Sequence, residues 1–235
     1  MLANQRIQWI KSEGRGDLYS FLSAVYKDEI SLERVDALWK SENRSSLETL
    51  LDCLPAERKE QIQSSLGQLE KYLSHNVPQE MQEATQLELR KEFAFLFLTP
   101  HGVYPFESLY RGKKKLLMDK PWEEVRAFFR KIGIAKDKAE MHPEDHIAVE
   151  LGFMATFAFL LSNAAQEEAP VEEREGLLEI QRTFLQDHLN RWVPDFSRDM
   201  EQKSRHEFYQ AVAALTREFV QADLWMLEEV EFGNS

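Results

Sequence analysis

The segment YPFESLY at residues 104–110 combines residue types that can recognise a peptide. Tyrosine offers a large apolar face with a polar tip, and proline lowers the entropy cost of holding a loop in one conformation. Glu107 and Ser108 can hydrogen-bond a peptide backbone, and the glutamate can pair with a basic side chain. The alternative is that Tyr104, Phe106 and Tyr110 only pack the loop onto the protein, and composition leaves both interpretations open.

A second segment, HPEDHIAVEL at residues 142–151, places titratable groups before an apolar run. His142, His146 and Glu150 recur every four residues, a spacing that can place metal ligands on one face of a helix. Pro143 leaves the direction of His142 open, and the glutamate that follows the first histidine in the zinc protease motif is missing. A small metal-dependent enzyme is therefore an alternative function, but we assign no metal ligand.

The same segment predicts the start of a helix. Pro143 suits the first helical position, and Glu144 and Asp145 would lie in the first turn, where the helix dipole favours negative charge. His146 would be held by Asp145 or by Glu150, either as a hydrogen-bonding contact or as a pH-sensitive latch. The alternative is an ordinary helix start with solvated charges.

The remaining sequence contains no recognised catalytic motif. It has no phosphate-binding loop of the Gly-x-x-x-x-Gly-Lys type, and Ser108 does not lie in a nucleophile elbow. Lys113, Lys114 and Lys115 are candidates for phosphate binding, but such a short lysine run is typical of a solvated turn. We therefore assign no catalytic residue and no cofactor-binding residue.

Apolar residues at helical spacing recur along the chain, and no alternating run predicts a strand. Ser31 is placed to cap one helix, Pro78 to start another that ends near Leu98, and Pro121 to open a third. The run that follows Pro143 is apolar almost all round, which predicts a central helix.

The sparse glycine (9) and proline (8) content also favours long helices over a sandwich or barrel. We therefore predict an all-α fold, a helical bundle in a single domain spanning residues 1–235. A long aromatic, proline-containing loop from Pro100 to Lys120 joins its N- and C-terminal halves and is the candidate subdomain boundary.

Charge and cysteine content narrow the range of partners and compartments. The formal net charge of −12 argues against nucleic acid, because phosphate binding needs a basic patch. The single cysteine, Cys53, excludes an intrachain disulfide and gives no sign of an oxidising compartment. We find no secretory signal and predict no membrane-spanning segment, so we expect a cytoplasmic protein without stable membrane insertion.

The order and separation of these segments resemble the TorD/DmsD/NarJ family, the cytoplasmic redox enzyme maturation chaperones. The resemblance covers roughly Asp17 to Phe232. It departs from the Glu-Pro-Asp-His form of many members, because Glu144 stands between Pro143 and Asp145. The matching elements are the helix end from Phe93 to Pro100, the Tyr104-Pro-x-x-Ser-x-Tyr110 loop, the Asp145-His146 pair leading into Glu150-Leu151, and the later helix end from Phe184 through His188 and Trp192 to Pro194.

The resemblance implies an all-helical protein without enzymatic activity or a cofactor of its own. It implies binding to the signal peptide, often twin-arginine, or to the apo form of a molybdopterin oxidoreductase catalytic subunit. That precursor would be held in the cytosol until its molybdenum cofactor is inserted. Carried over by motif, one side of the peptide site would consist of Tyr104, Pro105, Ser108 and Tyr110, and the other of Pro143, Asp145 and His146. The chemistry of their side chains adds Glu107 and Glu150 to the predicted peptide-binding residues.

Two further expectations accompany this interpretation. An assembly subunit of the nitrate reductase type, which binds a surface of the mature enzyme, is an alternative to a signal-peptide chaperone. Homodimerisation is left open, with the segment from Pro100 to Lys120 as the hinge for domain exchange. We also expect Asp145→Ala and His146→Ala to weaken peptide binding with little loss of stability.

Overall fold

The computed structural model describes residues 2–135, 140–228 and 230, so the predicted domain limits at 1 and 235 lie outside the described residues. Within these ranges the chain is all-α, as predicted, and its one β feature is an isolated bridge. A 3₁₀ turn at Gln79–Met81 precedes α6, and a π-helical segment at Leu185–Leu189 joins α10 to α11. The α-helices are α1 (Leu2–Lys11), α2 (Gly14–Lys27), α3 (Leu32–Leu38), α4 (Ser41–Asp52), α5 (Ala56–Glu70), α6 (Gln82–Leu98), α7 (Glu107–Arg111), α8 (Lys120–Lys131), α9 (Ile147–Gln166), α10 (Val171–Phe184), α11 (Asn190–Lys203) and α12 (Glu207–Leu227).

Local sequence signals account for several of the helix ends. Ser31 caps α3 as predicted, because its side chain accepts a hydrogen bond from the N–H of Arg34. Pro121 lies in the first turn of α8, and Gly133 follows that helix with a φ of +77°. Pro78 starts the 3₁₀ turn and not α6 itself, which begins only at Gln82.

Helix α9 is the central helix, as its composition predicts. It packs against α1, α2 and α10, while α12 packs against α5 and α11. The α2–α9 crossing is close, since a Cβ added at Gly16 would lie 2.5 Å from the ring of Phe159. One continuous apolar core includes side chains from α1 through α12.

The prediction that no segment is long and apolar enough to span a membrane was wrong, because one helix passes both criteria. Helix α9 is 20 residues long, and its most apolar window has a mean hydropathy of 1.6, which is enough to cross a bilayer. However, 67% of that window is buried inside the protein. Its apolar character is therefore accounted for by its place at the centre of the core.

A buried polar network ties the N-terminal helices to α12. Asp223 accepts hydrogen bonds from Trp9 Nε1 (2.6 Å), Arg15 Nε (2.8 Å) and Tyr19 Oη (2.7 Å). Arg15 and Asp223 are both fully buried, and Arg15 also donates to Gln181 on α10. The network joins four helices whose residues lie up to 214 positions apart.

Candidate functional site

The two segments singled out in the sequence lie against each other. Phe106 and His146 form an isolated antiparallel bridge, and their rings meet edge to face at a centroid distance of 5.0 Å. The loop at 100–110 is therefore fixed to the start of α9 through main-chain atoms. Two hydrogen bonds make the bridge: Glu107 N–H to Asp145 O at 2.9 Å, and Ile147 N–H to Pro105 O at 3.0 Å.

The predicted helix start at Pro143 was wrong by four residues. Helix α9 begins at Ile147, and His146 is its N-cap residue, with Nδ1 accepting from the N–H of Ala148. Pro143, Glu144 and Asp145 form a turn before the helix, and the N–H of His146 donates to the carbonyl of Pro143. The histidine side chain takes the capping role that serine or aspartate usually fills, so the proline does not have to open the helix.

Helix α8 holds this turn from outside. Glu144 accepts a hydrogen bond from Trp122 Nε1 at 2.8 Å and lies 3.4 Å from Arg126 Nε. The Arg126 guanidinium also lies over the Trp122 ring, 4.5 Å from its centroid. Glu144 therefore anchors the turn to α8.

Asp145 and Ser108 are fully buried and bind each other. The N–H of Ser108 donates to Asp145 Oδ2 at 3.0 Å, near the first turn of α7. Burial raises the pKa of Asp145, against the hydrogen bonds from Ser108. The aspartate holds α7 in place, and its side chain does not reach the surface.

Glu107 is the centre of a second set of buried contacts. Its carboxylate pairs with Arg111 and lies 3.0 Å from His188 Nδ1. His188 belongs to the π-helical segment Leu185–Leu189, and the wider turn of such a segment re-aims its side chains. One turn on, Trp192 Nε1 donates to the buried Glu150 carboxyl at 3.1 Å. Sequence analysis did not anticipate these two polar contacts of His188 and Trp192.

Glu150 is fully buried inside this cluster. Burial raises its pKa well above the usual range, and the nearby Glu107 carboxylate raises it further. The hydrogen bond from Trp192 opposes this shift. Because it is buried, Glu150 presents no carboxyl group at the surface for a basic partner to recognise.

His146 lies apart from both carboxylates that were expected to hold it. Its ring stacks on His142 at a centroid distance of 4.1 Å. The pKa of His146 is lowered to about 3, mainly by burial and to a smaller extent by the nearby His142 and Lys27. The expected pairing with Asp145 or Glu150 was therefore wrong. The described residues contain no group of three or more metal-ligating side chains, so His142, His146 and Glu150 do not form the metal site of the alternative hypothesis.

An open groove lies between the loop and α11, and we call it the α11 groove. It has a volume of about 1250 Å³, and both apolar and charged side chains line it. Tyr110 closes one side, because its ring packs on Trp192 and its hydroxyl donates to Asp199 at 3.2 Å. The groove is lined by Val103, Tyr104, Leu109, Tyr110, Lys115, Leu116, Leu117, Asp195, Arg198, Asp199, Gln202 and Lys203.

A smaller groove of about 560 Å³ lies on the other side of the loop, and we call it the α2–α6 groove. Pro105, Phe106 and His146 line it together with Leu98, which is 70% exposed. Asp28 and Glu29, at the end of α2, supply exposed carboxylates at its edge. Tyr104 lines the α11 groove, whereas the next two residues, Pro105 and Phe106, line the α2–α6 groove.

The predicted site residues thus divide into surface and interior groups. Tyr104 and Tyr110 line the α11 groove, and Pro105 and His146 line the α2–α6 groove. Pro143 is half-buried in the turn before α9. Glu107, Ser108, Asp145 and Glu150 are fully buried beneath the loop. Sequence reasoning missed Asp195 and Asp199, whose place in the groove depends on how α11 packs.

Gly102 explains how the loop leaves α6 so sharply. A Cβ at this position would lie 2.0 Å from the carbonyl oxygen of Leu96, so only glycine fits. The N–H of Val103 then donates to the same carbonyl at 2.7 Å, and Lys203 Nζ donates to the carbonyl of Gly102 at 2.5 Å. The last contact joins the start of the loop to the end of α11.

Comparison with known proteins bears on this arrangement. The family model for the nitrate reductase delta subunit matches residues 55–198, which is more than half of the chain and includes both segments. The chaperone protein TorD of Photobacterium profundum is 32% identical over 90% of this chain and 93% of its own length.

The chain belongs to the TorD-like family of chaperones.

Other relatives give the same result across nearly the whole chain. The TorD chaperones of Aliivibrio fischeri and Vibrio cholerae are each 30% identical, over 92% and 94% of this chain and 95% of their own lengths. The resemblance noted in the sequence is thereby confirmed. This TorD-like protein is a redox enzyme maturation chaperone of a non-catalytic family, and the metal-dependent enzyme is set aside.

Proposed function

We propose that this TorD-like chaperone binds the signal peptide of a molybdopterin oxidoreductase precursor in the α11 groove. The precursor is held in the cytoplasm while its molybdenum cofactor is inserted. Chaperones of this family act with the catalytic subunits of molybdoenzymes, which supports the class of client. The observation that carries the proposal is an open groove walled by the loop at 104–110.

The groove offers apolar and acidic surface side by side. Tyr104 is 47% exposed and lines the groove together with Val103 and Leu109, so an apolar stretch of peptide can bury its ring. Asp195 and Asp199 are exposed carboxylates in the same groove. This combination fits a segment that is basic at one end and apolar beyond it.

We propose that arginine is recognised by carboxylates other than those that the sequence suggested. Asp145 and Glu150 are buried and have raised pKa values, so they cannot pair with a peptide arginine without rearrangement. We propose that Asp195 and Asp199 take that role, with Tyr104 as the apolar anchor. The buried residues contribute by holding in place the loop at 104–110, whose Tyr104 and Tyr110 line the groove.

The client is identified first, by affinity capture from the native cytosol with the bound proteins analysed by mass spectrometry. Recovery of a molybdopterin oxidoreductase precursor that still carries its leader is the expected result. A synthetic peptide of that leader is then titrated against the chaperone by fluorescence anisotropy. Recovery of the mature enzyme without its leader would instead favour the nitrate reductase type of assembly subunit.

Two variants test the groove with this leader peptide. Tyr104→Ala should weaken binding about tenfold, as expected for loss of an aromatic anchor. Asp199→Asn should weaken it about two- to fivefold at low salt and less at high salt. Leu87→Ala and Asp52→Asn, at exposed positions on α6 and α4, are the matched controls. Equal effects of control and groove variants would contradict the proposed location.

Homodimerisation stays a prediction, and the structure adds a condition to it. Exchange of the C-terminal half around the loop would have to break the bridge between Phe106 and His146 and reform it between two chains. Light scattering coupled to size-exclusion chromatography measures the oligomeric state directly. A dimer that persists on dilution would support exchange through this segment.

A further inference from the structure

The turn that follows α7 exposes six consecutive residues, three lysines and then three large apolar residues. Lys113, Lys114 and Lys115 are exposed, and Leu116, Leu117 and Met118 are 57%, 56% and 53% exposed. Large apolar side chains are normally removed from water, so three in a row at the surface indicate an interaction site. We call this segment the basic–apolar loop.

The lysines are unusual in a chain of net charge −12. Among the described residues, none of the three forms an ion pair, although many other basic side chains do. The nearest acid in sequence is Asp119, whose Oδ2 accepts the main-chain N–H of Lys114 at 3.3 Å. Their ammonium groups are thus available to an external anionic surface.

The backbone of the loop is held in a conformation that non-glycine residues avoid. Lys115 has a φ of +50° and Met118 has a φ of +58°, both in the left-handed region. Such residues persist only where surrounding structure fixes them, and they cluster at binding and switch segments. Here they bracket Leu116 and Leu117, whose exposed side chains also line the α11 groove.

We propose that the basic–apolar loop binds the surface of an anionic lipid bilayer. The three ammonium groups lie at the headgroup phosphates, and Leu116, Leu117 and Met118 enter the interface between headgroups and acyl chains. Anionic lipid attracts lysine near the surface, and a few inserted apolar side chains add the second contribution that reversible binding needs. The acidic remainder of the chaperone is repelled, which orients the protein with this loop towards the membrane.

Other partners fit these six residues less well. A stable protein interface buries about 800 Å² on each side, and a six-residue turn is too small to supply that area alone. Single-stranded nucleic acid binding relies on stacked aromatic side chains, and this loop has none. A bilayer requires only local charge and a few apolar side chains, which is what the loop provides.

The test is co-flotation of the full chain with vesicles, without any client peptide, at low ionic strength. Wild type should bind phosphatidylserine-containing vesicles and not pure phosphatidylcholine vesicles. Replacing Lys113, Lys114 and Lys115 together by glutamine should reduce partitioning about 100-fold, at about fivefold per lysine. The matched control replaces Lys40, Lys91 and Lys131, which are exposed but dispersed, and should have a much smaller effect.

A second pair of variants separates insertion from simple charge attraction. Leu116→Ser with Leu117→Ser should lower binding at least tenfold, whereas Met81→Ser with Leu87→Ser, at comparable exposure on another face, should not. Thermal melting confirms that each variant is folded. The proposal is overturned if folded wild type does not float with anionic vesicles, or if dispersed and clustered lysine variants lose binding equally. No client peptide is present in this experiment, so its result does not bear on the proposed α11 groove, which the peptide titration tests separately.

Discussion

At the scale of the residue, the polar side chains of the two motif segments are mostly buried and stabilise the site from the interior of the protein. Composition singles out the two segments, because a proline-containing aromatic loop and a titratable helix start are both unusual in a helical chain, and the structure places them against each other. The exposure of their side chains could not be predicted, since charged residues such as Glu107, Asp145 and Glu150 are rarely fully buried. Their burial depends on His188 and Trp192, which lie far along the sequence.

Asp145→Ala should therefore destabilise the protein, contrary to the expectation from sequence. The substitution leaves the buried N–H of Ser108 without an acceptor, at a cost of about 1–3 kcal/mol. Thermal melting should show a fall of several degrees, whereas Asp52→Ala on the surface should change the melting temperature little. An unchanged melting temperature for Asp145→Ala would contradict the structural role of Asp145 and favour a direct role in peptide binding.

Glu150→Gln should make the protein less sensitive to rising pH. The folded pKa of Glu150 lies well above the unfolded value near 4.5, so its contribution to stability is complete below about pH 4.5. That contribution is lost as pH rises, because the unfolded carboxyl ionises freely while the folded one keeps its proton. Glutamine does not titrate, so the variant should gain melting temperature relative to wild type between pH 5 and pH 8. Glu60→Gln, at an exposed position on α5, is the control. If the melting temperatures of wild type and Glu150→Gln change with pH in parallel, the raised pKa of Glu150 is contradicted.

At the scale of the element, apolar spacing predicted the helices better than it predicted their ends. Ser31 follows the usual capping chemistry, and its position was predicted correctly. The start of α9 was misplaced, because His146 caps the helix with its ring nitrogen, which sequence rules assign mainly to serine, threonine, aspartate and asparagine. The π-helical segment at Leu185–Leu189 was not predicted from the apolar spacing.

The His146 cap should make the stability of the protein fall on acidification. Its folded pKa of about 3 lies below the unfolded value near 6.5, so the unfolded chain binds the proton more readily. The stabilising contribution is complete above about pH 6.5 and is lost as pH falls towards 3, by up to about 1.4 kcal/mol per pH unit. His146→Asn keeps a capping side chain without titrating, so its melting temperature should fall less between pH 7 and pH 5. His75→Asn, at an exposed position, should retain the wild-type slope.

At the scale of the whole molecule, one core and one buried network join both halves of the chain. We propose that residues before and after the loop unfold together as a single domain, because the core runs from α1 to α12 and α12 packs against α5. Differential scanning calorimetry should show one transition whose calorimetric and van 't Hoff enthalpies agree. Two resolved transitions would place a subdomain boundary within 100–120 after all.

Asp223→Ala should be among the most damaging substitutions in the chain. It leaves the Arg15 guanidinium buried without its carboxylate and removes the acceptor of Trp9 and Tyr19. Breaking a buried ion pair from one side costs about 3–5 kcal/mol. Chemical denaturation should show this loss in the free energy of unfolding. Asp195→Ala, at an exposed position on α11, should change that free energy by less than about 1 kcal/mol. A loss below about 1 kcal/mol for Asp223→Ala would show that the network contributes little.

The bridge between Phe106 and His146 also sets an order of events during synthesis of the chaperone itself. The loop at 104–110 emerges from the ribosome before the residues that fix it, and Asp199 of the groove emerges 89 residues after Tyr110. We therefore expect ribosome-bound chains that end near residue 160 to fail to capture the leader peptide, although the motif loop is already exposed. The chaperone becomes competent for its client only when its own translation is nearly finished.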